Sequence, residues 1–153
     1  MIKERNKMDQ HQNLANDKLN ELLILVKVNE VGFINAAKHT VLEDYKVYFD
    51  KKVFAYTEFV SELEDELIFL DIFNEKLYRC PNFFRKKWNI FKWHYDNAND
   101  KSILENTVEA ENKLSAEYRS TLMLELKSST STLLTLQQDY IQLNLMNYKT
   151  LIK

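Results

Sequence analysis

Glycine, proline and cysteine occur once each in this chain of 153 residues, at Gly32, Pro81 and Cys80. Usual frequencies are about 7% for glycine and 5% for proline. The shortage excludes a fold built from many tight turns, which need those residues. It argues for long helices joined by few connections. One cysteine excludes an internal disulfide and a cysteine metal cluster. That suits a reducing compartment, so a cytoplasmic location is expected. An excess of one charge is also missing: 21 basic residues stand against 23 acidic ones, for a net charge of −2. No nucleic-acid partner is expected from that balance. The longest unbroken apolar run, Leu22–Val26, is far short of the roughly 18 residues that span a bilayer, so no membrane partner is expected. Met1–Gln12 has no apolar run and no small-residue cleavage site, and no signal peptide is expected. The sequence has no glycine-rich phosphate loop and no Gly-x-Ser-x-Gly elbow, and Cys80 before Pro81 reads as the end of a loop rather than a nucleophile.

What is present is apolar content at helical spacing. Apolar residues make up 45% of the chain, enough for one core at this length. Residues 1–15 read as a flexible polar N-terminus and 16–153 as a single domain. Asn16 or Asp17 is placed to cap a first helix that runs to about His39, with Leu19, Leu23, Val26, Phe33 and Ala37 on one stripe. Thr40-Val41-Leu42-Glu43 has the form of a capping box. It predicts a second helix beginning almost where the first ends, with Tyr45, Phe49, Val53, Tyr56, Val60, Leu63, Leu67 and Leu70 inward. Pro81 fits the first turn of a short helix reaching about Tyr95. Asp96–Asp100 reads as a loop, and Ser102-Ile103-Leu104-Glu105 as a second capping box. A third long helix is expected to Lys127, with Leu104, Val108, Leu114, Tyr118 and Leu122 inward. Ser128–Thr132 breaks the pattern, because short hydroxyl side chains compete for backbone groups. A last helix is expected over about Thr132–Ile152. Four matched amphipathic helices bury their stripes best as an all-α four-helix bundle, with an extra short helix in the crossover between helices 2 and 3.

Two carboxylates interrupt these stripes. Glu30 lies within the first and Glu111 within the third. One reading makes them ligands of a carboxylate-bridged metal pair. Such sites add a Glu-x-x-His pair from each of two further helices, and none of His11, His39 and His94 has Glu three residues before it. The other reading is a buried carboxylate satisfied by hydroxyls or amides, with Tyr56, Tyr118, Gln138 and Asn144 as candidate partners. Glu62, Glu64, Asp65 and Glu66 flank the second stripe and read as a solvated face.

The short crossover helix is unusually aromatic. Phe84, Trp88, Phe91 and Tyr95 define one face, while Phe83 and Trp93 lie apart from it. Arg85, Lys86, Lys87 and Lys92 are interleaved. The residues fit first a lid in which lysine stems cover rings, and second a protein contact surface.

Leu19-Asn20-Glu21-Leu22, Gly32-Phe33 and Ala36-Ala37, then Phe49, Phe59 and Glu62-Leu63, then Trp88 with Lys92, then Ile103-Leu104-Glu105, Glu111 and Tyr118 form an ordered series from about Asp17 onward. The series resembles a bacterial ferritin-like family of unknown function, whose members are four-helix bundles related in fold to ferritins and rubrerythrins. The resemblance implies a ferritin-like antiparallel four-helix bundle. The chain departs from the family where acidic residues are replaced by Val28, Val31 and Val108, and where a histidine of the last helix is replaced by Leu145. Glu111 matches a family acidic position and Glu30 does not. Each exchange of a carboxylate for valine removes a ligand and adds apolar burial of about 1–2 kcal/mol.

The expected function is therefore a non-enzymatic binding or structural module without a cofactor; a stress-related role is implied by the resemblance alone. Its partner is expected to be a protein or a second copy, met through Phe83, Trp88, Trp93, Arg85, Lys86 and Lys87. The alternative is a metal-binding protein of the di-iron or di-manganese kind, holding Fe or Mn through Glu30, Glu111 and Glu62.

Overall fold

The computed structural model describes residues 2–91 and 99–152, with side chains over 10–89 and 99–150. Every regular element among them is helical: α1 (Ile2–His39), α2 (Glu43–Phe69), α3 (Glu75–Tyr78), α4 (Pro81–Phe91), α5 (Asp100–Leu122) and α6 (Ser128–Asn147), followed by a 3-10 turn over Tyr148–Ile152. No helix among the described residues is long and apolar enough to cross a membrane.

Helix α1 begins at Ile2, well before the expected cap at Asn16 or Asp17. Nothing in Ile2–Asn16 stops a helix: it holds no glycine or proline and is rich in Lys, Glu, Arg, Gln and Met. The Asn16 carbonyl instead accepts a bond from Asn20 Nδ2 at 2.8 Å inside the helix. Leu19, Leu22, Leu23, Ile24, Leu25, Val26, Val28 and Phe33 are all buried, so α1 is apolar around much of its circumference. Such a helix needs neighbours on several sides, and α1 packs against α2, α5, α4 and α3.

The start of α2 is built differently from the expected capping box. Leu42 occupies the cap position without a side-chain cap. The exposed amides are satisfied from far along the chain: Val41 and Leu42 donate to the Asp100 carboxylate at 3.0 and 2.8 Å. Asp100 is the first residue of α5, whose own cap is Asn99, accepting from Ser102 N at 2.8 Å.

Helix α2 ends at Phe69. Asp71 takes a left-handed conformation (φ 57°), and Ile72 N donates to Leu67 O at 3.0 Å. This six-to-one closure satisfies a last-turn carbonyl. The chain then meets Asn20 of α1, which accepts from Asn74 N at 2.8 Å and donates to Ile72 O at 2.9 Å. Asn74 caps α3, a single turn too short to show periodicity in sequence. Pro81 opens α4, the helix position where its missing N–H costs nothing.

Helix α5 stops at Leu122, before the expected Lys127, and α6 starts at Ser128 rather than Thr132. The hydroxyl run begins the last helix instead of interrupting one. Ser129 and Thr130 donate to Glu66 Oε1 at 2.8 and 2.9 Å, docking the first turn of α6 on the last turn of α2.

Paired residues give the helix directions. Val41 with Asp100 and Lys52 with Glu111 keep a constant offset of 59, so α2 and α5 run the same way. Glu66 with Thr130 and Phe59 with Gln137 keep a constant sum, so α2 and α6 run oppositely. α5 and α6 also run oppositely, through Tyr118 with Gln137 and Ser115 with Gln142. One cluster of buried apolar side chains draws from α1, α2, α5 and α6.

Candidate functional site

Glu111 is fully buried on α5 (0% exposed), and so is Lys52 on α2 (1%). The Lys52 Nζ lies 2.8 and 2.9 Å from the two Glu111 oxygens, and Tyr56 donates its hydroxyl to Oε2 at 2.7 Å. Both carboxylate oxygens are thus engaged, one of them twice. The ammonium also sits 5.6, 5.4 and 5.9 Å from the ring centres of Phe33, Tyr48 and Tyr140, an aromatic enclosure that favours a cation. Burial and the Glu111 charge hold the Tyr56 hydroxyl far above the usual tyrosine range. The same two causes raise Tyr48 and Tyr140. All three phenols therefore keep their protons.

Glu30 is buried too, but it faces the crossover. Lys27, one turn earlier on α1, donates to it at 2.9 Å. Burial lowers the affinity of Lys27 for its proton, yet the bond and charge of Glu30 leave the ammonium held above its ordinary range. Tyr78 of α3 lies within the same field and hydrogen-bonds Glu64 of α2; burial leads in pushing its hydroxyl up. Each inward glutamate is therefore answered by a lysine. Glu62 is exposed on α2.

The three carboxylates of the metal-binding alternative do not converge: among the described residues no group of three or more His, Cys, Asp or Glu side chains could hold an ion. The donor set at Glu111 does not fit iron or manganese, because an ammonium already fills the cation position. Of the expected partners, Tyr56 does meet Glu111. Tyr118 instead donates to Gln137, Gln138 reaches Ser115 O at 3.5 Å, and Asn144 bonds Tyr140 O at 2.8 Å. Lys52 is missed by the sequence pattern because a lysine reads as a surface residue and Val53 fits the stripe in its place. The buried series runs Phe49, Lys52, Tyr56, Phe59 and Leu63. A lysine three residues after one core aromatic and four before another is the signal that could have found it.

The second region is the face of α4. Phe84 and Trp88 stack, with ring centres 6.3 Å apart and planes 19° apart. They line a groove of about 540 Å³ against α1 and α3. Val31, Tyr78, Cys80 and Pro81 extend its apolar wall, and Lys27, Arg79 and Arg85 supply its cations. No carboxylate lines it among the described residues. Phe83 lies away from the groove, with the Lys87 ammonium 5.1 Å from its ring centre. That contact is the lid-like arrangement of lysine over ring. Lys86 is exposed. Trp93, with Lys92, His94 and Tyr95, lies outside the described residues.

Comparison of the chain with protein-family models, with curated proteins and with solved structures finds no match.

Proposed function

We propose that this protein is a non-enzymatic binding module, and that the groove between α1, α3 and α4 takes an acidic protein segment carrying an apolar anchor. The observation that carries the reading is the lining of that groove: stacked Phe84 and Trp88 on an apolar wall, with exposed Arg85 beside them, while Lys27 and Arg79 at its edge are paired with Glu30 and Glu75 outside the lining. Its volume, about 540 Å³, falls within the roughly 300–1,000 Å³ of ligand clefts, and it is open to solvent along one side. The core supports the non-enzymatic half of the reading. Its fully buried charge pair is saturated by Lys52, Glu111 and Tyr56 and leaves no open position for a substrate.

The scaffold is read as an antiparallel four-helix bundle of the ferritin-like kind. In its support, α1 packs on α2 and α5, α6 packs on α5 and α2, and one long crossover carrying α3 and α4 joins the parallel pair α2 and α5. A cytoplasmic location and a role in stress belong to the same reading.

The test is selection from a displayed random peptide library on the full chain, repeated with Trp88→Ala and Arg85→Glu. Enriched peptides that share acidic residues around an aromatic or aliphatic anchor, and that neither variant retains, support the reading. No enrichment, or peptides held equally by both variants, overturns it.

A further inference from the structure

The outer faces of α2 and α6 carry apolar side chains with no cover. On α2, Phe54 is 69% exposed, with Val47 two turns before it; on α6, Leu136 and Leu143 are 64% and 58% exposed and flank Tyr140 at helical spacing. Between the two helices runs a groove of about 630 Å³, floored by Ala55, Phe59 and Tyr140. The rim carries both signs of charge, from Asp50, Lys51 and Glu58. None of the three makes an ion pair among the described residues.

We propose that this face is a self-association interface, occupied by the same face of a second copy. A partner of one charge sign would meet like charge on this rim, whereas a second copy complements it. In a twofold antiparallel approach of two α2 helices, paired positions keep a constant sum. An axis between Phe54 and Ala55 sets the large ring of Phe54 on one copy against the small Ala55 of the other. The same register sets Lys51 against Glu58, and the symmetry repeats that pair. One register thus satisfies a size match and one charge pair that the symmetry repeats, with Asp50 left level with Phe59 at the edge. The exposed leucines of α6 lie one turn to either side of Tyr140, which floors the same groove. This surface is separate from the α4 groove, and the proposal stands or falls independently of that reading.

The test is sedimentation equilibrium of the full chain from micromolar to near-millimolar concentration. The expected result is a dimer of the 18.3 kDa chain. Phe54→Glu should give a monomer with unchanged helicity, since that ring is 69% exposed within its own copy. Lys51→Glu should weaken dimerisation at least tenfold, and Lys51→Glu with Glu58→Lys should restore it. Trp88→Ala should leave the mass unchanged. A monomer at every concentration overturns the proposal and leaves the face to a different protein. A dimer that survives Phe54→Glu, or a charge swap that restores nothing, overturns it as well.

Discussion

Lys52 and Glu111 hold one another in the core at 2.8 and 2.9 Å, with neither side chain reaching solvent. Removing two charges from water is costly. Their attraction repays that cost only when the remaining hydrogen-bonding positions are filled. Tyr56 adds a third hydrogen bond to the carboxylate, and three rings enclose the ammonium. Breaking the pair is therefore expected to cost far more than replacing it. Lys52→Met should lower stability by about 3–5 kcal/mol, because Glu111 is left buried and unpaired. Lys52→Met with Glu111→Leu should recover most of that loss. Urea denaturation of the two single variants and the double variant closes the cycle; equal and additive losses would contradict the account.

The same geometry bears on metals. An ammonium in the cation position should exclude Fe(II) and Mn(II) from the wild-type core. Titration of either metal should leave the melting temperature unchanged, and elemental mass spectrometry of the untagged protein should find no stoichiometric metal. A concentration-dependent rise in melting temperature that disappears in Glu111→Gln would restore the metal reading in place of the saturated charge pair.

Asp100 joins the start of α5 to the start of α2 through the amides of Val41 and Leu42. Asp100→Ala should cost about 1–2 kcal/mol, the usual effect of losing a helix cap. Hydrogen exchange should show the first turn of α2 opening, with the far end near Glu66 unaffected. Protection that is unchanged at Val41 and Leu42 would mean that the contact contributes nothing.

Asn20 satisfies both the Ile72 carbonyl and the Asn74 amide, in the turn that leaves α2. Asn20→Leu keeps the volume but leaves two backbone groups without partners, which should cost about 2–4 kcal/mol at roughly 1–2 per group. The loss should exceed that of Asn16→Leu, measured by the same chemical denaturation.

Alkaline pH should destabilise the fold through Tyr56 and Tyr118. Burial leads in raising both hydroxyls well above the ordinary tyrosine value, and the Glu111 and Glu62 carboxylates respectively add to it. Below about pH 10 both states keep these protons, so the two groups contribute no slope. Above it the unfolded chain releases them and the folded chain does not, so stability falls as pH rises. Thermal unfolding from about pH 8 to pH 11, which brackets the ordinary tyrosine range, should show this decline, with a shallower slope in Tyr118→Phe. An identical slope in the variant would refute the assignment.

The helices are legible in the sequence because their apolar positions repeat at helical spacing over many turns, and Pro81 marks the start of α4 for a reason confined to its own ring. Glu111 is legible as a polar interruption of a stripe. Of what answers it, Tyr56 is among the residues the sequence offers, but Lys52 is not, because it lies 59 residues away and its charge argues locally for the surface. The start of α2 misleads for a related reason. Thr40 and Glu43 satisfy a local capping rule, but the helix takes Leu42 as its cap, and Asp100 of another helix, which only the fold brings there, accepts from the Val41 and Leu42 amides. The hydroxyl run at Ser128 reads as a break because its partner, Glu66, is equally remote. Contacts between distant residues override local propensity, and they leave no periodic mark.

The shared direction of α2 and α5 has a kinetic consequence. The α1–α2 pair closes across three residues, whereas each contact tying α2 to α5 must close a loop of about 59. By chain entropy alone that difference is roughly 2–3 kcal/mol. On that ground the hairpins α1–α2 and α5–α6 are expected to assemble first, with the Lys52–Glu111 pair losing its water when they meet. Loss of that pair should then appear in stopped-flow measurements mainly as faster unfolding, with refolding nearly unchanged. The buried charges act less as a seed of the structure than as its latch.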